Sequence, residues 1–172
     1  MSISLSTVIL GQFEAAMGTL RQAIEDCPDG EWSGAHLDGP FSQVAFHVLF
    51  FTDIYLGWSE EAVKDQEFHV RHRDIFLDYE ELEDRKPLRT YGRDFVRDYF
   101  EFCLAKGRRT IPQESDTTMF GESGFSYRKF PRLELHIYSI RHIQHHAAQL
   151  GLRNQFSAGK ELKWVSSGWR EH

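Results

Sequence analysis

The sequence predicts an all-α protein, a four-helix bundle with a long connection between its second and third helices. Three observations lead there. Apolar residues recur at helical spacing over four long stretches, broken by Pro and Gly. Strand signals are weak, with few period-two alternations and no Asn-Gly or Asp-Gly turn between apolar runs. The chain has 172 residues, 41% hydrophobic and 14% aromatic, which is enough for a real core in one domain and too little for two. A single domain over 1–172 is therefore expected.

The first helix is predicted from about Ser4 to Asp26, with Ile9, Phe13, Ala16, Leu20 and Ile24 forming one apolar stripe. Cys27-Pro28-Asp29-Gly30 ends it, because Pro cannot continue the hydrogen-bond ladder and Asp-Gly favours a turn. The second helix runs from about Phe41 to Gly57 or Trp58. On it Val44, Val48, Phe51, Tyr55 and Trp58 share an arc with His47 at its edge, and Ala45, Leu49 and Leu56 make it mostly buried. Residues 59 to 86 are charged, with short helical turns expected near Ser59 to Glu61 and Asp78 to Asp84 before a break at Pro87. Thr90 is expected to cap a third helix, about Tyr91 to Arg109, with Phe95, Tyr99, Phe102 and Cys103 inside. Residues 112 to 130 read as a loop with at most a short hairpin; FGESGFSY lacks the spacing of a phosphate loop. Pro131 suits the first turn of a fourth helix reaching about Arg153. The remaining tail, about 154–172, is expected to dock on the bundle through Trp164, Val165 and Trp169.

Composition excludes several functions. A net charge of -6 denies the chain the global basic field that non-specific nucleic-acid binding needs. Cys27 and Cys103 cannot make a disulfide framework and read as free thiols in a reducing compartment. No segment approaches the roughly 18 apolar residues of a membrane span. The N-terminal stretch lacks a basic region and a small-residue cleavage site, so a cytoplasmic location is expected. The excess of Phe and Trp makes a homodimer that buries an apolar patch an expectation as well.

The informative feature is histidine: of 9, four fall between His136 and His146. With His142 at the origin of a helical wheel, His146 lies at about 40° and Tyr138 at about -40°. His145 falls with Glu134 and Arg141 toward solvent, and His136 lies about 120° round, too far to share an ion. His142 and His146 thus form an i,i+4 pair whose imidazoles can hold one divalent ion. His47, on a buried arc of another long helix, is the best third ligand, because an unpartnered imidazole there would be costly. His36 reads as a rim residue, and His69 and His72 as part of a solvated charged segment. Tyr138, one turn before His142, is the candidate catalytic side chain, able to orient or protonate a group at the metal. Arg128, Lys129 and Arg132 read as a solvated charge run that could attract an anion.

These residues resemble the DinB-like superfamily. The match is His47 in FSQVAFHVLFFTDIYL, followed by His142, His145, His146, Gln149 and Leu150 in RHIQHHAAQL, and it spans Met1 to about Val165. The resemblance implies a four-helix bundle in which His47, His142 and His146 hold a divalent ion, commonly zinc or nickel, with water completing its sphere. It implies no ligand role for His145. Where many members read His-His-Arg-Gly-Gln, this chain reads His145-His146-Ala147-Ala148-Gln149, so the Arg is missing. It further implies a metal-dependent enzyme of the thiol S-transferase or hydrolase type, with a low-molecular-weight thiol or another small molecule as substrate. Two other readings stand beside it: a non-catalytic metal protein, and a metal-free helical protein acting through dimerisation.

Overall fold

The computed structural model describes residues 4–36, 39–77, 79–83 and 89–168, and among them the chain is helical with no strand. Helix α1, Leu5–Asp26, begins where Ser4 accepts a hydrogen bond from the Thr7 amide, and it buries the predicted stripe from Ile9 to Ile24. The single turn α2, Asp29–Trp32, carries the Trp32 indole, which donates to the Tyr91 carbonyl at 2.7 Å. Helix α3, Phe41–Leu56, is buried all round except at His47 and Phe51. Trp58, assigned to its buried arc from sequence, lies beyond the helix end and is exposed.

The connection is built of short helices: α4 (Glu60–Lys64, capped by Ser59), α5 (Glu67–Arg71), α6 (Arg73–Phe76) and a 3₁₀ turn at Glu80–Leu82. Asp78, Asp84 and the break expected at Pro87 lie outside the described residues. Helix α7, Arg93–Thr110, starts two residues later than predicted. Its would-be first residue, Tyr91, is held instead by the Ser42 hydroxyl (3.2 Å) and by stacking on Phe46. The expected loop holds one helix, α8 (Asp116–Phe120, capped by Ser115), and a single bridge between Glu122 and Pro131. Helix α9, Arg132–Ala158, outruns its prediction because the stop is Gly159, left-handed at φ 66°, whose amide closes the last turn.

The four long helices pack in a ring, α1 on α9, α9 on α3, α3 on α7 and α7 on α1. Gly107 of α7 permits the closest approach, since a Cβ there would enter the Phe13 ring. Residues 162–168 run along α1: Gln22 exchanges hydrogen bonds with the Lys163 backbone, Gly168 donates to the Gly11 carbonyl, and Val165 covers Gly18. Trp164 points outward and is 83% exposed, against expectation, and Trp169 lies outside the described residues. No helix among the described residues is long and apolar enough to cross a membrane.

Two buried polar clusters lock the connection and the end of α3. Asp53, wholly buried, accepts from His69 Nε2 at 2.6 Å and from the Tyr99 hydroxyl at 3.0 Å, and it pairs with Lys106. Burial alone would raise the Asp53 carboxyl, but His69 and Lys106 outweigh it and hold it below the usual range. His69 is therefore no member of a solvated segment; its other nitrogen is hydrogen-bonded to the Tyr79 hydroxyl at 3.1 Å, so α5 and the following turn are pinned to α3. His72 is half-buried against Phe68 and Phe95. At the C-terminus of α3, Arg132 donates to the carbonyls of Tyr55, Leu56 and Gly57, satisfying acceptors the helix leaves orphaned. Glu114 neutralises it and also pairs with His136 at 2.7 Å. Arg132 is thus fully buried, not part of a solvated run, because three carbonyls and a carboxylate replace its water.

Candidate metal centre

An apolar helix such as α3 is driven into the interior on every side, and its one less-buried stripe, His47 and Phe51 at i,i+4, faces α9. On α9 the same spacing sets His142 above His146. The three rings meet: centroids lie 5.2 Å apart for His47 and His142, 5.1 Å for His47 and His146, and 4.6 Å for His142 and His146. One nitrogen from each lies within 4.8 Å of the other two, so the group could hold a metal ion. His145 is exposed and outside the group, although its ring is 5.0 Å from His146. His136 is committed to Glu114, and His36 lies near the surface with Glu31 at 2.9 Å.

Hydrogen bonding sets the protons. His47 Nδ1 is 2.8 Å from Glu81 Oε2. A carboxylate only accepts, so Nδ1 carries the proton and the Nε2 lone pair faces α9. Glu81 is itself fixed: its other oxygen accepts from Gln43 Nε2, and Gln43 Oε1 accepts from the Arg89 amide at 3.2 Å. His146 Nδ1 donates to Gln149 Oε1 at 2.7 Å, which leaves its lone pair on Nε2. His142 Nδ1 is buried and has no hydrogen-bond partner. The His142 pKa is pushed down to about 3, first by burial and then by His146 and His47, so its imidazole is neutral at ordinary pH.

His142 Nε2 stands 3.3 Å from His47 Nε2. Two nitrogens each bound at 2.0–2.1 Å to a tetrahedral ion are separated by about 3.3–3.4 Å. Three clustered imidazoles, two of them with Nδ1 committed to an acceptor and Nε2 left to ligate, and a carboxylate behind one ring are the donor set that suits a borderline-soft divalent cation.

Tyr138 is half-buried on α9, and its hydroxyl accepts from Arg128 at 3.2 Å rather than bonding to an imidazole. With Arg141, His142, Gln144 and His145 it lines a cavity of about 470 Å³. Comparison of the chain with family models, with curated proteins and with solved structures found no match.

Sequence reasoning missed Glu81 and Gln43. Gln43 had a signal, a polar side chain four residues before His47 on an otherwise apolar helix. Glu81 had none, since it sits in a charged stretch and reaches His47 across 34 residues.

Proposed function

We propose that the chain is a DinB-like four-helix-bundle protein that holds zinc or nickel through His47, His142 and His146 and acts as a metal-dependent enzyme. The observation carrying this reading is the 3.3 Å approach of two imidazole nitrogens, one of them fixed as a lone-pair donor by Glu81. When bound, the ion would lower the pKa of a water or thiol. The chain's residues supply the rest. Glu81 and Gln149 hold two imidazoles in the ligating tautomer. Phe51 packs edge-on against His47 and His142 and keeps water from that side. The open hollow along α9 beside His142 would give a small molecule access to that ring, which supports an enzyme over a metal store.

None of the residues lining that cavity is a carboxylate, and both Glu81 oxygens are engaged. Deprotonation would then fall to the ion itself, which lowers the pKa of a bound thiol or of a bound water. The thiol S-transferase reading is the one put to the test first. The test is conjugation of a soluble aryl halide with a panel of low-molecular-weight thiols by metal-loaded protein. Turnover with at least one thiol, lost in His142→Ala, is expected. Stoichiometric metal without turnover on any thiol would overturn the thiol S-transferase reading, and the same result with a panel of ester and amide substrates would overturn the enzyme reading in favour of a non-catalytic metal protein.

A further inference from the structure

Arg128 is held by tyrosines rather than by a carboxylate. Its Nη2 donates to the hydroxyls of Tyr55 at 2.9 Å and Tyr138 at 3.2 Å. Its guanidinium carbon lies 4.7 Å from the Tyr138 ring centre, 5.3 Å from that of Tyr127 and 5.7 Å from that of Tyr55. Among the described residues no carboxylate pairs with it; Glu60 is engaged by the Tyr127 hydroxyl at 2.7 Å. Its Nε is buried, without an acceptor and closed to solvent, so a ligand would meet the guanidinium at Nη1, which has no hydrogen-bond partner among the described residues.

Residues 120–126 and 128–131 line a cavity of about 550 Å³ around it. The wall carries Phe125 and Phe130, two cations (Arg128 and Lys129) and one carboxylate (Glu122), a net charge of one positive. Tyr138, which Arg128 bonds, lines the other cavity together with His142, so one side chain links the Arg128 guanidinium to the surroundings of the three-His group.

We propose that Arg128 is an anion subsite that takes the carboxylate of a small substrate with an apolar body. Three rings and two hydroxyls hold the guanidinium in the cavity wall, and Nη1 is the donor left to a carboxylate, a charge-assisted contact. A single net positive charge suits a monoanion better than a phosphate dianion. As a statement about substrate the inference rests on the function proposed above; as a statement about anion binding it does not need the metal.

The probe is benzoate, with benzamide as its neutral isostere and inorganic phosphate as the competing anion. Each is titrated into the full chain as purified, and again after chelator treatment, while the ¹⁵Nε–¹H signal of Arg128 is followed by NMR. Benzoate should shift that signal saturably in both samples, benzamide should not, and phosphate should bind more weakly. Arg128→Gln should weaken benzoate about tenfold or more, the loss of a charge-assisted hydrogen bond. Arg128→Lys should also weaken it, because an ammonium cannot keep both hydroxyl bonds and still present a donor to the ligand, while Lys129→Gln should change little. Equal binding of benzamide, tighter binding of phosphate, or unchanged benzoate binding in Arg128→Gln would each overturn the proposal. If Arg128→Gln does not fold, the benzoate and benzamide titrations of the unaltered chain decide alone. Metal uptake without benzoate binding sinks the subsite only; benzoate binding in a chain that takes up no metal sinks the metal reading only.

Discussion

Replacing Glu81 by Gln removes one acceptor from a site where two donors converge. Glu81 is nearly buried, with one oxygen on His47 Nδ1 at 2.8 Å and the other on Gln43 Nε2. A Gln at 81 can accept from one of these and must turn its own NH₂ toward the other. Rotating the Gln43 amide does not help, because its NH₂ would then face the Arg89 amide donor. Either His47 loses its orienting bond or its proton shifts to Nε2, the nitrogen that faces His142. A charge-assisted hydrogen bond contributes about 1.5–3 kcal/mol, and about 1.4 kcal/mol is tenfold in affinity, so Glu81→Gln should weaken metal binding about 10- to 100-fold. Titration against a chelator of known affinity measures this, and urea unfolding of metal-free protein separates the cost to the fold. Affinity within twofold of the unaltered chain would refute the orienting role of Glu81.

Gly107→Ala gains helix propensity of about 1 kcal/mol but drives a methyl into the Phe13 ring; a net loss of about 1–2 kcal/mol in urea unfolding is expected, and a gain in stability would refute the close packing of α1 on α7. Glu114 provides the pH test. Burial alone would raise its carboxyl, but His136 and Arg132 outweigh it and hold it below the usual range. The stability so gained is fully present above the unfolded value of about 4.3 and is lost as pH falls through the lower folded value. Urea unfolding between neutral and acid pH should therefore show a shallower acid loss in Glu114→Gln than in the unaltered chain, and equal slopes would contradict the assignment.

The long helices were legible because α1, α7 and α9 each bury a stripe with a period near 3.6, and because α3 is apolar almost throughout. The same period set His142 and His146 together and left His145 outside. At His69 and Arg132 the difference between sequence and structure comes from long-range pairing. His69 looked solvated because its neighbours are Arg71, Arg73 and Asp74, yet its partner Asp53 lies 16 residues back in α3. Asp53 itself was a usable signal: a carboxylate in the middle of an apolar helix demands buried cations, and Lys106 is one. Arg132 looked like surface charge because nothing local reveals that three carbonyls at the end of α3 need a donor. The end of α9 lies beyond the expected Arg153 because the helix stop is Gly159, a left-handed cap.

The central claim is that three histidines from two helices make one metal site. The decisive measurement is metal content and zinc or nickel titration of the full chain purified without a His tag, beside His142→Ala and His145→Ala. A single ion per chain in the unaltered protein and in His145→Ala, with none retained by His142→Ala, is the predicted result. No uptake by the unaltered chain, or loss in His145→Ala with retention in His142→Ala, would contradict it.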